Sequence, residues 1–373
     1  MTASSIVTHG NVSLNIVRTE KQAAATTIKH IGEKMVKTFA LTLAVSTLAL
    51  APTGFADTVF LGGDIALSGN WDNGLPTSAG NPGSIAVNGT VNVDFNNTYF
   101  ITQTAGTIGS AGFGSDYNLN GGAFTQNGGT WGSAGNRGFK ITGGNQTTLE
   151  SGAIIGGANS NSSITASTMI INGGSFTQYG TGRGVFLSGG AVLTINGGAF
   201  STITESATNT FGINSLASGD NYINLNGGTV SVNFLGFGRN NSGSQLTYVI
   251  GGATPGSFTA VDFVALSATE LITERKFNWL SGSLMTFTVS NADDWAEIEW
   301  SADRLLYNGQ SSTALGGLSW ADATNPTVGL GDGAYFAFDG GANTLSLGAP
   351  IPEPSTFALL GLLGLFTVRR RAK

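Results

Sequence analysis

The chain has 373 residues and a formal net charge of −6, contains 57 glycines and no cysteine, and is 10% charged and 40% hydrophobic. This hydrophobic fraction is enough for a packed core and argues against general disorder, and the lack of cysteine excludes disulfide bonds. Between Asp57 and Glu353, 7 Lys and Arg stand against 20 Asp and Glu, a net charge of −13 that disfavours nucleic acid as a partner.

The first element is an export signal. Residues 1–34 show no sustained apolar pattern, but Met35-Val36-Lys37 is followed by a 13-residue apolar run, 38–50, and by small residues at Gly54 and Ala56. A basic start, a short apolar stretch and small residues are typical of a secretory signal peptide, with cleavage after Ala56. We therefore predict a signal peptide within 1–56. The segment before Met35 is either a spurious extension or an unusually long start to that signal.

Histidine is informative by its position. His9 and His30, the only two, precede the predicted cleavage, so the mature chain has neither His nor Cys. This excludes a Ser-His-Asp or Cys-His nucleophile and the usual zinc ligand sets. It leaves carboxylate, Tyr, Lys or Arg chemistry and oxygen-ligand metals such as Ca²⁺. The sequence assigns no catalytic residue, no cofactor and no metal ligand.

The mature chain opens with a segment, 57–97, that contains Trp71 shortly before Pro76. If the repeats that follow stack into coils, the first coil needs a cover over its open end. We therefore expect Trp71 to belong to an N-terminal cap. The alternative is an exposed aromatic platform for a sugar ring.

A short phrase then recurs between Tyr117 and Val232. Its strong copies are Leu119-Asn120-Gly121-Gly122-Ala123-Phe124, Ile171-Asn172-Gly173-Gly174-Ser175-Phe176, Ile195-Asn196-Gly197-Gly198-Ala199-Phe200 and Leu225-Asn226-Gly227-Gly228-Thr229-Val230, with a weaker copy at Ile141-Thr142-Gly143-Gly144. The leading apolar residues are 22, 30, 24 and 30 residues apart. Such a period indicates a repeat architecture.

Each copy predicts a strand, a glycine corner and a second strand, because apolar residues alternate with polar ones on both sides of Gly-Gly. Stacked coils would align Ile on Ile and Phe on Phe, and Asn120, Asn172, Asn196 and Asn226 would form a hydrogen-bonded ladder. We therefore predict an all-β protein whose residues 57–252 form a β-solenoid, or parallel β-helix. The rival is a sandwich or barrel in which Asn-Gly-Gly closes ordinary hairpins.

The repeat phrase ends before Thr254, and residues 253–349 are predicted to form a C-terminal β cap or module. Within it, Ser267-Ala268-Thr269-Glu270 has the form of a capping box and predicts a short helix through Lys276. The run from Trp295 to Trp300 alternates like a half-exposed strand.

An acidic cluster occupies this module: Asp293, Asp294, Glu297 and Glu299. Paired carboxylates could hydrolyse glycosides, and carboxylates also bind Ca²⁺, but a solvated strand face is the simpler interpretation.

The last 24 residues, 350–373, carry the most specific pattern. Pro352-Glu353-Pro354 precedes an apolar run, 356–368, and a basic end that contains Arg369, Arg370 and Arg371. This order resembles the PEP-CTERM sorting signal of Gram-negative bacteria. A plain single-span anchor is the alternative.

The resemblance implies that an exosortase recognises Pro352, Glu353 and Pro354 and removes the tail. It also implies a membrane-anchored precursor with a transmembrane helix in the tail, export through the inner membrane, and a mature protein at the cell surface or in the extracellular matrix of a bacterium that makes exopolysaccharide. The body more loosely resembles the β-helical repeats of autotransporters, and this identifies no activity.

Two functions follow from these features. The first is a structural or adhesive surface protein, associated with exopolysaccharide and biofilm and without catalysis. The second is a β-helical polysaccharide lyase or glycoside hydrolase, which would need acidic and basic residues that converge on adjacent coils. The candidates there are spread over different segments: Arg137, Lys140, Glu150, Arg183, Glu205 and Arg239.

Overall fold

A computed structural model describes residues 57–91, 97–110, 117–135, 137–180, 184–203, 213–215, 219–235, 244–263, 275–290 and 292–348. All of them belong to one compact unit of the chain. The predicted signal peptide, the tail with its predicted helix, and most of the predicted helix from Ser267 lie outside the described residues. The domain boundaries therefore stay predictions.

Strands make up most of the regular structure. In chain order they are β1 (Thr58–Val59), β2 (Gly63–Asp64), β3 (Gly83–Ile85), β4 (Gly89–Val91), β5 (Asn97–Gln103), β6 (Thr107–Ser110), β7 (Tyr117–Gly132), β8 (Phe139–Thr142), β9 (Gln146–Gly156), β10 (Ser162–Thr165), β11 (Thr168–Ile171), β12 (Ser175–Tyr179), β13 (Val185–Ser188), β14 (Val192–Ile195), β15 (Ala199–Ile203), β16 (Ile213–Ser215), β17 (Gly219–Leu225), β18 (Gly228–Leu235), β19 (Ser244–Ile250), β20 (Gly256–Phe263), β21 (Arg275–Trp279), β22 (Met285–Thr288), β23 (Leu305–Tyr307), β24 (Tyr335–Asp339) and β25 (Thr344–Gly348). The described helices are a 3₁₀ turn, Ser68–Asn70, and two α-helices, α1 (Ala292–Ser301) and α2 (Trp320–Ala323).

These strands form a β-solenoid, which confirms the predicted fold. Every pairing among strands β1 to β23 is parallel, and these pairings join successive coils. Parallel strands cannot be joined by the tight hairpins of the rival sandwich or barrel.

Each coil passes through three faces. The first face contains β8, β10, β13 and β16, the second contains β11, β14, β17, β19, β21 and β23, and the third contains β12, β15, β18, β20 and β22. The long strands β7 and β9 turn corners and contribute to more than one face.

The core is a set of side-chain columns that run through the coils. On the third face, the inward column consists of Ile108, Trp131, Ile154, Phe176, Phe200, Val230, Phe258 and Phe287, all buried. The Phe176 and Phe200 rings stack with centroids 5.1 Å apart and planes 9° apart. Burying one such side chain contributes about 1.5–3 kcal/mol. Because the rings of neighbouring coils pack against each other, this contribution stabilises the stack rather than a single coil.

The first copy of the repeat phrase lies at a different corner from the others. Leu119 pairs with Ile141 on the first face, whereas Ile171, Ile195 and Leu225 pair in succession on the second. In the coil of Leu119, the equivalent of Asn172-Gly173-Gly174 is Asn127-Gly128-Gly129. Both corners need glycine at positive φ, for example 69° at Gly122 and 67° at Gly174. The shared phrase therefore indicates a corner that requires glycine, and it does not identify which corner of the coil that is.

The N-terminal end is closed as the sequence predicts. Trp71 is 3% exposed, packs against the Phe60 ring at 5.1 Å and donates from Nε1 to the Ile65 carbonyl at 2.9 Å. Because its ring is buried, it caps the core and does not form an exposed sugar platform.

At the other end, parallel pairing continues past Gly252 as far as Tyr307. Strand β22 then pairs antiparallel with β25, which forms a hairpin with β24. Antiparallel pairing covers the edge of the third face, an arrangement that protects a solenoid from end-to-end growth.

Two local predictions in the C-terminal segment are wrong. Residues 295–300 form most of helix α1 and not a strand, because Ala292, Trp295, Ala296, Glu299 and Trp300 recur at helical spacing and are buried on one side. Arg275 and Lys276, predicted to end a helix, begin strand β21 and pair with the preceding coil.

Candidate functional site

An asparagine ladder runs along the corner between the second and third faces. The side-chain amide of Asn226 donates to Oδ1 of Asn196 at 2.9 Å, and that of Asn196 donates to Oδ1 of Asn172 at 2.8 Å. Asn172 in turn donates to Oε1 of Glu150 at 2.8 Å. Because a carboxylate only accepts hydrogen bonds, Glu150 sets the direction of every amide in the row.

The predicted ladder is therefore confirmed for three of its four members. Asn120 is the exception, because it belongs to the corner between the first and second faces, where it pairs with Thr142. Glu150 was missed, although a signal existed. Leu149 pairs with Ile171, and aligning Leu149-Glu150-Ser151-Gly152 with Ile171-Asn172-Gly173-Gly174 places Glu150 at the asparagine position.

The acidic cluster of helix α1 is divided by the fold. Asp294 and Glu297 are exposed, Asp293 accepts a hydrogen bond from Trp320 Nε1 at 3.0 Å, and Glu299 is completely buried. The two carboxylates assigned to one strand face, Glu297 and Glu299, thus lie on opposite sides of a helix. Asp294 and Glu297 border a shallow surface beside Ile298, which is 59% exposed.

Glu299 is held between two arginines. Its Oε2 accepts from Arg275 Nε at 3.0 Å and from Arg304 Nε at 2.8 Å, and its Oε1 accepts from Nη2 of both. Bidentate contacts of this kind are strong and directional. Both oxygens are engaged, so the carboxylate joins α1 to the last coils. Arg304 is 5 residues from Glu299 in sequence but Arg275 is 24 residues away, and the sequence carried no signal that the three side chains would meet.

A small cavity of about 220 Å³ lies near the C-terminal hairpin. Asp332 lines it and accepts hydrogen bonds from the Tyr307 hydroxyl and, at 3.4 Å, from Ser281 Oγ. Partial burial opposes ionisation of Asp332, but the bonds from Tyr307 and the Ala334 amide outweigh it, and its pKa is lowered. Burial, reinforced by Asp332, raises the pKa of Tyr307. The pair is thus held as carboxylate and phenol.

Among the described candidates for polysaccharide cleavage, Lys140 and Glu150 lie at different places on the coil. Lys140 lies on the first face, where its strand pairs with β7 and β10, and Glu150 lies at the asparagine ladder. Arg137 follows the end of β7, and Arg183, Glu205 and Arg239 are outside the described residues. Within the described part of the chain, no group of three or more Asp, Glu, His or Cys is placed to hold a metal ion.

None of the described helices combines the length and apolarity needed to cross a membrane. The residues predicted to direct sorting, Pro352, Glu353, Pro354, Arg369, Arg370 and Arg371, and the predicted cleavage residue Ala56, lie outside the described residues.

Comparison with known proteins bears on the tail alone. The model of the PEP-CTERM protein-sorting motif matches residues 350–372. No curated protein and no solved structure matches the chain. The chain therefore carries a PEP-CTERM sorting signal, which implies recognition by an exosortase and export to the cell envelope, on a β-solenoid body.

Proposed function

We propose that this chain is a non-catalytic structural or adhesive protein of a Gram-negative bacterium, deposited at the cell surface or in an exopolysaccharide-rich biofilm matrix. The observation that carries the proposal is the sorting motif at 350–372, which is joined to a solenoid body. A solenoid offers an extended, repetitive surface, the form that suits contact with a polymer.

The hydrogen bonds of three described carboxylates favour a structural role. Glu150 accepts from the asparagine ladder, Glu299 from two arginines and Asp332 from Tyr307. Each of these bonds joins one part of the solenoid to another. A polysaccharide lyase or glycoside hydrolase remains the rival function, since catalysis has to be tested directly.

In the proposed sorting pathway, the signal peptide starts export and the apolar run 356–368 anchors the precursor. The arginine cluster stays on the cytoplasmic side, in keeping with the positive-inside rule. The exosortase then recognises Pro352, Glu353 and Pro354 and removes the tail.

The sorting step is tested by expressing the full gene in a host that has the exosortase and measuring intact masses in membrane and medium fractions. We expect a species that starts near Asp57 and lacks Arg369 to Lys373. The double variant Pro352→Ala/Pro354→Ala should leave the precursor in the membrane, whereas the control Pro350→Ala, in the same spacer, should be processed normally. Identical processing of all three proteins would overturn the sorting role of the motif.

The absence of catalysis is tested separately. The protein is incubated with acidic and neutral polysaccharides, and new reducing ends and unsaturated products are measured. We expect neither, and the appearance of either product would replace the structural role by the enzymatic one.

A further inference from the structure

The outward positions of the third face carry a two-dimensional array of hydroxyl groups. On five successive strands these positions, two per strand, are Ser175 and Thr177, Ala199 and Ser201, Thr229 and Ser231, Ser257 and Thr259, and Thr286 and Thr288. Nine of the ten side chains bear a hydroxyl, and we call these nine the hydroxyl face. All are half-buried or exposed.

The parallel register makes the array regular in both directions. Positions two residues apart on a strand are about 6.6 Å apart, and neighbouring strands are about 4.8 Å apart. Five strands therefore extend for about 19 Å, four steps of about 4.8 Å, along the solenoid. Within the array, Ser201 Oγ donates to Thr177 Oγ1 at 3.1 Å, so neighbouring coils are linked through their hydroxyls.

The hydroxyl face is uncharged in an acidic protein. Neither its nine residues nor Ala199 carries a charge, although the chain between Asp57 and Glu353 has a net charge of −13. Beside it, Tyr179 and Ile203 pair in register as a short apolar strip, and Ile203 is 44% exposed. At the C-terminal end, Thr288 pairs with Thr344 of β25, which continues the polar surface.

We infer that the hydroxyl face binds a neutral, linear polysaccharide. Hydroxyl groups both donate and accept, so they match a ligand that is itself covered in hydroxyls. A face without cations gives no attraction to an anionic polymer, and the acidic protein repels one. The array extends for about 19 Å along the solenoid, which suits an extended chain rather than a compact ligand, and the strip of Tyr179 and Ile203 offers an apolar contact for the face of a sugar ring. This inference rests on the proposed function and names its ligand class.

The experiment measures the retardation of the full-length protein in native gels that contain a neutral β-glucan, a neutral galactomannan or anionic alginate. Because the full-length protein includes the apolar run 356–368, the gels contain a detergent, and this detergent must lack a sugar headgroup. Thr229→Val/Thr259→Val removes two hydroxyls with little change in shape or strand propensity. Thr125→Val/Thr148→Val, at outward paired positions on the second face, is the matched control.

We expect at least one neutral polymer to bind the unmodified protein. Thr229→Val/Thr259→Val should reduce the affinity about tenfold, since two hydrogen bonds of typical net strength are lost. The second-face control Thr125→Val/Thr148→Val and the hydroxyl-retaining Thr229→Ser/Thr259→Ser should bind like the unmodified protein.

Equal affinity for the third-face and second-face valine variants would overturn the site and leave the proposed function intact. Binding of alginate alone, or of none of the polymers, would overturn the ligand class. The intact-mass experiment and the polysaccharide-cleavage experiment test the proposed function independently of these gels.

Discussion

Asn196 donates its side-chain amide to Oδ1 of Asn172 in the preceding coil at 2.8 Å and accepts from Asn226 in the next. It therefore has to donate on one side and accept on the other. The row ends at Glu150, which can only accept. An exposed corner of the solenoid is thus held in register by a chain of side-chain amides with one direction.

Replacing Asn196 by Asp tests this direction. The carboxylate of Asn196→Asp can still accept from Asn226, but at pH 7 it meets Oδ1 of Asn172 with no proton to donate. We expect a loss of about 1–2 kcal/mol in unfolding free energy at pH 7, of which part returns at pH 3 when the acid can donate. Asn196→Ala, which lacks both bonds, should show no such recovery. Urea midpoints at the two pH values check this, and equal midpoints for Asn196→Asp and the unmodified protein at pH 7 would contradict it.

The glycine corners allow a second, sharply matched test. Gly198 has φ of 65°, and a Cβ added there would lie 2.6 Å from the Gly174 carbonyl oxygen. Gly190 has φ of 82°, but a Cβ there would meet nothing within 4 Å. We expect Gly190→Ala to cost about 1 kcal/mol, from the left-handed backbone alone. Gly198→Ala should cost about 3 kcal/mol or more, because a clash with backbone is added. Similar urea midpoints for the two variants would refute the close packing of this corner.

The same corners show how far the sequence could predict the fold. Period, alternation and paired glycines were enough to predict the solenoid, its core columns and the ladder of Asn172, Asn196 and Asn226. They sufficed because each coil has to bury the same apolar positions and turn at the same kind of corner. They misplaced Leu119 and Asn120, since two corners of one coil need the same positive-φ glycines. The phase of the repeat is decided by pairing between coils, which a single copy does not reveal.

The C-terminal segment was harder for a related reason. In the run from Trp295 to Trp300, the spacing of the apolar residues fits both a strand and a helix. The burial of Glu299 is what distinguishes the helix from the strand. A glutamate is expected to be exposed until its partners are known, and Arg275, 24 residues away in sequence, is positioned beside Glu299 by the pairing of β21 with the preceding coil. The triad therefore depends on tertiary contacts that local pattern does not encode.

Glu299 provides the third prediction. Glu299→Gln keeps the shape of the side chain but removes the negative charge that forms ion pairs with Arg275, which is 8% exposed, and with Arg304. Breaking a buried ion pair on one side costs about 3–5 kcal/mol, so we expect a loss in unfolding free energy of that order. Glu297→Gln, on the exposed side of the same helix, should change stability by no more than about 0.5 kcal/mol. Urea unfolding of both variants, followed by tryptophan fluorescence, decides the point, and a loss as small for Glu299→Gln as for Glu297→Gln would contradict the structural role of the triad.

The fourth prediction concerns acid stability at the turn after α1. The backbone amide of Thr313 donates to Asp303 Oδ1 at 3.0 Å, the Thr313 hydroxyl to Oδ2 at 2.7 Å and the Ser312 hydroxyl to Oδ1 at 2.8 Å. Led by the Thr313 amide, these bonds lower the pKa of Asp303 from 3.8 to about 2. Each bond requires an acceptor, and the ionised carboxylate provides it on both oxygens.

Because the folded pKa lies below the unfolded one, the ionised carboxylate stabilises the fold fully above about pH 4. That contribution is lost as the pH falls from about 4 through about 2, where the folded carboxylate takes up its proton. The urea midpoint of the unmodified protein should therefore fall over this range more steeply than that of Asp303→Asn, which cannot titrate but keeps an acceptor for the Thr313 amide. Asp294→Asn, on the exposed side of α1, should retain the steep profile of the unmodified protein. Parallel profiles for the unmodified protein and Asp303→Asn would mean that other carboxylates govern acid unfolding and that this turn does not.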